Sequence, residues 1–291
     1  MSTFTQASPP RVTPFFLKLE ELGQSLAADW YAAAKETLRG GDGGEHGILL
    51  HSIVGTFVKK QKVLMVLDIG TARGFSAITA AKALTDFGLD GLVYTVDVIP
   101  HDQPMTWHVP KQSDSDPLMG KKVSRAEVWN AAYEYLTSKV TVLTGDSEDI
   151  LNHWVYGPID VAFLDGEHTS NAVRHELNAL DRLLTPGGIV ILDDYHIGTR
   201  VWALKLKLLG SALGRLGGLF AKVGLPVPNV LKPWPDLSIS LSAQRFTGVR
   251  HAVDNFADAN PDRWALEIVK MPSRGQYQGS DYALALLTRR D

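Results

Sequence analysis

Acidic residues recur in this chain directly after short runs of β-branched and other apolar residues. Val63–Leu67 leads into Asp68-Ile69-Gly70-Thr71-Ala72-Arg73-Gly74-Phe75-Ser76, Leu92–Val96 into Asp97, and Val140–Leu143 into Gly145-Asp146-Ser147. Ile159–Leu164 leads into Asp165-Gly166-Glu167-His168, and Gly188–Leu192 into Asp193-Asp194-Tyr195. Two kinds of chemistry are open to such carboxylates. One alone can accept hydrogen bonds from both hydroxyls of a ribose, which suits Asp97, although the same residue could cap a loop. Several gathered at one edge repel each other unless protonated or neutralised by a cation. An oxygen-only donor set favours a hard divalent ion such as Mg2+. Asp165, Asp193 and Asp194 are such a set if their runs are neighbouring strands, while Asp193 or Asp194 singly could cap the following segment. His168 stands three residues after Asp165, where a neutral imidazole could act as a general base near pH 7. His196 is the rival base, Glu167 a weaker one, and His46 could approach from the amino-terminal segment.

The elements needed to position these residues are legible in the spacing. The five apolar runs alternate with helix-like stretches, Ser76–Leu84, Ala126–Leu136 and Thr169–Leu184, a rhythm that indicates a parallel sheet covered on both faces. In the last of these, Val173, Leu177, Leu180 and Leu184 share one face, Thr169 or Ser170 caps the start, and Pro186-Gly187-Gly188 stops it. Two more strands, Trp264–Lys270 and Tyr282–Thr288, are joined through Gly275-Gln276-Tyr277-Gln278-Gly279, short enough for an antiparallel return. The expected fold is therefore α/β: a doubly wound, Rossmann-like sheet, mostly parallel with an antiparallel last strand, in a single domain. Residues 1–62 read as an amino-terminal helical cap segment, with a helix over Pro14–Leu38 before Gly40–Gly44, and 63–291 as the domain proper. Ligands of open parallel sheets lie beyond the carboxyl ends of the strands, where all five acidic segments fall.

Composition narrows the function. Lysine and arginine number 29 against 32 aspartates and glutamates, a net charge of −3, which argues against a nucleic-acid protein held by overall positive charge. The absence of cysteine rules out disulfides, thiolate zinc sites and a cysteine nucleophile. The opening residues lack a secretory pattern and no apolar stretch reaches about 18 residues, so a cytoplasmic enzyme is expected. Two segments stand apart. Ile99–Lys122 is a long loop that could wall an acceptor pocket. An insertion at about 199–235 holds no acid between Asp194 and Asp236, yet carries Arg200, Lys205, Lys207, Arg215, Lys222 and Lys232. Its apolar residues gather opposite most of the bases, so 200–223 could be a lid, a homo-oligomer contact or a peripheral membrane contact.

The turn after the first run departs from a dinucleotide fingerprint, with Ala72 and Phe75 where the third and sixth glycines belong, so an NAD reading fails. Taken together, VLDIGTARGFSAITAAKAL, VYTVDV, VTVLTGDSEDIL, IDVAFLDGEHTSNAV and LLTPGGIVILDDYH resemble the class I S-adenosylmethionine-dependent methyltransferases. The last two segments resemble the metal-dependent O-methyltransferases that act on macrolide sugars and other natural products. The resemblance spans about Val63–His196. It implies S-adenosylmethionine as cofactor, with Gly70, Ala72, Gly74 and Ser76 around its methionine part, Asp97 on the ribose, Asp146 and Ser147 near the adenine, and Asp68, Thr71 and Asp165 as further cofactor-binding residues. It also implies Mg2+ on Asp165, Asp193 and Asp194, His168 as base, and methyl transfer to a small-molecule hydroxyl rather than to nucleic acid. A metal-dependent relative with another reaction, hydroxylase-like, and a non-catalytic cofactor-binding protein are the alternatives.

Overall fold

Apolar residues on both faces of consecutive strands require cover on both sides, and the chain supplies it. The structure, a computed structural model, describes residues 11–12, 26–39, 45–57, 63–107, 120–195, 236–271, 276–277 and 280–290. The elements begin with β1 (Arg11–Val12), α1 (Ala28–Ala34, continuing into a π-helical turn, Lys35–Arg39) and α2 (Glu45–Thr56). They continue with β2 (Leu64–Ile69), α3 (Phe75–Asp86), β3 (Gly91–Asp97), β4 (Met105–Thr106), β5 (Lys122–Val123), α4 (Arg125–Ala132), α5 (Glu134–Thr137), β6 (Val140–Thr144) and α6 (Ser147–Asn152). The rest are β7 (Ile159–Leu164), α7 (Ser170–Leu183), β8 (Leu184–Leu192), α8 (Asp236–Ala259), β9 (Trp264–Lys270), β10 (Gln276–Tyr277), β11 (Ser280–Asp281) and β12 (Ala283–Arg289).

The main sheet runs β1-β9-β12-β8-β7-β2-β3-β6. Strands β6, β3, β2, β7 and β8 are mutually parallel, and β12 is antiparallel to both β8 and β9. The expected doubly wound sheet with its antiparallel last strand is thus present. Alternate residues of one strand enter different cores: Val66, Val161 and Phe163 pack with α2, α3 and α4, while Leu67, Ala162 and Leu164 pack with α7 and α8. The chain winds outward from β2 through β3 to β6, then crosses back to β7 on the other side of β2. That reversal opens a crevice between the carboxyl ends of β2 and β7, the place where such sheets take ligands.

Three expectations change in detail. Strand β8 starts at Leu184 rather than Gly188, because Leu184 pairs with Ile159 and Ile189 with Val161 across a register shift; Pro186-Gly187-Gly188 makes an irregularity inside the strand as well as a stop to α7. The stretch Ala126–Leu136 is two helices, broken at Tyr133. Helix α2 falls within the expected helical segment 1–62, at a place where the sequence pattern marks no separate helix. Its residues are buried nearly all round, and Gly47 and Gly55 sit against the rings of Phe75 and Phe87 of the neighbouring segment, so it shows no apolar stripe. The beginning of the expected Pro14–Leu38 helix, part of the Ile99–Lys122 loop, His196 and the basic insertion lie outside the described residues. No described helix is long and apolar enough to cross a membrane.

Candidate active site

The turn from β2 into α3 forms the floor of the crevice. Gly70 has φ of +91°, and a side chain there would overlap the Asp165 backbone, so only glycine lets β2 and β7 close together at this point. Hydrogen bonds carry the sheet's pairing past the strand ends: Asp165 N–H donates to Ile69 O at 2.9 Å, Asp193 N–H to Leu164 O at 3.0 Å, and Gly145 N–H to Asp97 O at 2.9 Å. The acids at these ends are therefore fixed relative to one another by the sheet itself. Beneath the turn, Asp68 is fully buried. Thr95 Oγ1 donates to it at 2.5 Å, and Thr71 pairs with Thr95 at 2.6 Å. Burial pushes the Asp68 pKa up to about 6 against the pull of hydrogen bonds from Ser76 and Thr95. Asp68, Thr71 and Ser76 thus point into the protein, and the exposed surface of the turn is that of Ala72, with φ of +46°. Gly74 precedes α3 and lies against the Trp129 ring.

Asp97 stands at the end of β3, next to that turn. Its Oδ2 accepts from the Ala72 amide at 2.8 Å and from Arg125 Nη2 at 2.8 Å, and its Oδ1 from the Ile99 amide at 2.9 Å. Arg125 is the first residue of α4, whose start is fixed by a capping box between Ser124 and Glu127. Burial pulls its pKa down, opposed by Asp97 and Asp68. Arg73 is a second buried guanidinium, donating to Thr37 O at 3.4 Å and Trp107 O at 3.3 Å, while Trp129 Nε1 donates to its carbonyl at 2.8 Å. Neither arginine carries a sequence signal of its function; the Ser124–Glu127 spacing could have marked the start of α4, and with it Arg125.

Across the crevice, His168 Nε2 lies 3.1 Å from Asp165 Oδ1 and 3.3 Å from Asp194 Oδ2. Asp194 has a left-handed backbone, φ +57°, which aspartate tolerates better than most residues. Asp193 is turned inward: its Oδ1 accepts from the Asp194 amide at 2.9 Å, and its Oδ2 lies 3.8 Å from His46 Nδ1. His46, buried on α2, stacks on Phe163 and meets Phe75 edge-on. The structure thus brings Asp165, His168 and Asp194 together, with Asp193 behind them. Among the described residues no group of three or more His, Asp or Glu side chains is arranged as a metal site.

Helix α8 braces this cluster. Tyr195 is fully buried and donates from its hydroxyl to Asp254 at 2.7 Å, with Arg250 over its ring at 5.7 Å. Gly248 packs directly on the His168 carbonyl. At the end of β6, Asp146 is exposed and caps α6 by accepting from the Glu148 amide at 2.9 Å. Ser147 donates to Glu176 at 2.8 Å. Glu176 is buried on α7, and loss of hydration raises its pKa to about 7. Nothing in the sequence pattern marks it, because it occupies an ordinary polar slot in an amphipathic helix.

Residues 67–195 match the family model described as a methyltransferase domain. The likeness covers that segment and not the whole chain. The matched segment holds the acids at the ends of β2, β3, β6, β7 and β8, from Asp68 to Asp194. Among solved structures, the cofactor-bound Rv0187 from MTB is 19% identical, with a TM-score of 0.50 over 98% of this chain and 100% of its own. The O-methyltransferase TomG from Streptomyces achromogenes, involved in tomaymycin synthesis and solved with SAM, is 18% identical, with a TM-score of 0.49 over 94% of this chain and 90% of its own. An O-methyltransferase from Bacillus cereus in complex with SAH is 20% identical, with a TM-score of 0.48 over 94% and 90%. At these identities the likeness is one of fold. No curated protein matches the chain.

Proposed function

We propose that the chain transfers a methyl group from S-adenosylmethionine to a hydroxyl of a small molecule, assisted by a hard divalent cation such as Mg2+. The observation that carries this reading is the convergence of Asp165 and Asp194 on His168 Nε2, at 3.1 and 3.3 Å, at the mouth of the β2–β7 crevice. The residues present suit the cofactor. Ala72 offers an exposed, side-chain-poor turn, and Asp97 has acceptor capacity for a ribose. Val98 beside it is apolar yet 67% exposed, a face on which an adenine could lie, with Asp146 and Ser147 opposite. The oxygen donors of Asp165 and Asp194 suit a hard cation, with Asp193 supporting them from behind through the Asp194 amide.

When bound, the cofactor supplies a methyl carbon on a positive sulfur, which an oxygen nucleophile can take in a single displacement. The cation, when bound, lowers the pKa of the acceptor hydroxyl. The chain's own residues do the remainder. His168 receives the hydroxyl proton, and the oxygens of Asp165 and Asp194, 3.1 and 3.3 Å from Nε2, stabilise the imidazolium. The Gly70 turn and Asp97 would hold the cofactor, and fixing it against the acceptor would speed the displacement through positioning. Near-zero net charge supports a small acceptor over nucleic acid. The contacts of Arg73 with Thr37 and of Asp193 with His46 support reading residues 1–62 as a cap on the site.

A second reading has its own support: the imidazole already occupies the place between the two carboxylates, as in an enzyme that uses the Asp-His-Asp cluster without a cation. Calorimetry decides between them. S-adenosylhomocysteine should bind the wild type, and Mg2+ should bind the wild type but not Asp165→Asn or Asp194→Asn. Failure of S-adenosylhomocysteine to bind overturns methyl transfer; full turnover after exhaustive chelation overturns the cation and leaves the cluster.

A further inference from the structure

Asp97 is held asymmetrically. A carboxylate has about four acceptor sites, and three are used here: both on Oδ2, by Ala72 and Arg125, and one on Oδ1, by Ile99. The guanidinium responsible is fully buried, and its other nitrogens reach the two segments on either side of Asp97. Nε donates to Ala72 O at 2.6 Å, Nη1 to Ile99 O at 3.4 Å, and the group lies 5.8 Å from the centre of the Trp107 ring. One side chain therefore ties the cofactor turn, the acid at the end of β3 and the start of the following loop to a single point. A fork with donors in fixed directions can do this; a lysine ammonium, with one nitrogen, cannot reach all of them.

We infer that Arg125 is a positioning residue for the cofactor: by saturating Oδ2 of Asp97 it leaves Oδ1 as the acceptor for a ribose hydroxyl, and by holding Ala72 O it keeps the turn open toward the methionine part. This rests on the methyltransferase reading above. It makes the cofactor's affinity depend on a residue that does not touch the cofactor.

The test is a double-mutant cycle on the full chain, with S-adenosylhomocysteine binding measured by calorimetry and folding by circular dichroism and thermal melting. Arg125→Lys should weaken binding roughly tenfold or more, as expected when a charge-assisted bond is lost from a bidentate site. Asp97→Asn should weaken it as well, and the double variant no further than the worse single one, because both changes break one unit. Binding by Arg125→Lys equal to wild type overturns the inference, as do effects that simply multiply. If Arg125→Lys does not fold, Ser124→Ala takes its place in the cycle, since it loosens the cap that presents Arg125 without touching the site; there too, non-additivity with Asp97→Asn supports the inference and additivity overturns it. A wild type that binds no S-adenosylhomocysteine would instead refute the methyltransferase reading beneath it.

Discussion

Gly248 of α8 packs so tightly on His168 that a methyl group on its Cα would overlap the His168 carbonyl oxygen and stand 2.9 Å from the Ser170 amide nitrogen. The helix that follows the basic insertion is thus in direct contact with the backbone of the proposed base. Gly248→Ala must push the 165–170 segment or α8 away, at a cost of about 1–3 kcal/mol in stability, typical of overpacking. Because the displaced segment carries His168, kcat should fall by at least tenfold while S-adenosylhomocysteine affinity changes little. A variant with lower melting temperature and unchanged kcat would show that the contact serves packing alone.

His168 itself separates proton transfer from cofactor binding. His168→Asn removes the ring from between Asp165 and Asp194 and should lower kcat about 10²–10⁴-fold, the range for loss of a general base. S-adenosylhomocysteine affinity should be largely preserved, since its expected contacts, Asp165 apart, lie at the ends of β2, β3 and β6. Single-turnover kinetics with a model phenol or sugar acceptor would measure this, and a loss confined to KM would assign His168 to acceptor binding.

Glu176 predicts a pH dependence of stability. Its folded pKa, about 7, lies above the ordinary value of 4.5. Between those values the folded protein keeps a proton that the unfolded chain has released, so stability falls as pH rises through the window. Asp68, raised from 3.8 to about 6, acts in the same sense at lower pH. From pH 6 to 8 the loss assignable to Glu176 is on the order of 1 kcal/mol. Urea unfolding at both pH values should show that loss in the wild type and a flatter profile in Glu176→Gln.

Asp160 is a structural counterpart at the other end of the strands. Its buried carboxylate accepts from the Met65 amide at 3.0 Å and from Thr185 Oγ1 at 2.8 Å, joining β7 to β2 and to β8. Asp160→Ala strands both donors and should cost about 2–4 kcal/mol in denaturant stability, with the cofactor affinity of the folded fraction intact.

The strands were readable because each parallel strand is buried on both faces and so appears as an unbroken apolar run, with an acid or glycine where it emerges. Helix α7 was readable for the opposite reason: one face is buried and one is wet. Helix α2 fits neither pattern, since it is enclosed by α3 and the sheet and its glycines exist for close packing. The acids at strand ends could be located for the same reason as the strands, and Asp165, His168 and Asp194 do meet. What spacing could not reveal is direction. Asp193 and Asp194 are adjacent, yet one faces His46 and the other His168, a choice made by the left-handed backbone at Asp194. Nor could spacing pair Arg125 with Asp97, 28 residues earlier, because that pairing depends on where a loop returns.

That left-handed residue has a consequence for how the site could decay. At φ of +57° a β-branched residue would be disfavoured by its own backbone, whereas asparagine and glycine fit with little strain. The substitutions the fold accepts most easily at position 194 are therefore those that delete the charge and keep the shape. A descendant of this chain could lose the carboxylate there and remain a well-folded protein with its crevice intact. An intact fold is thus poor evidence of a working enzyme among such descendants, and the identity of this one residue is better evidence.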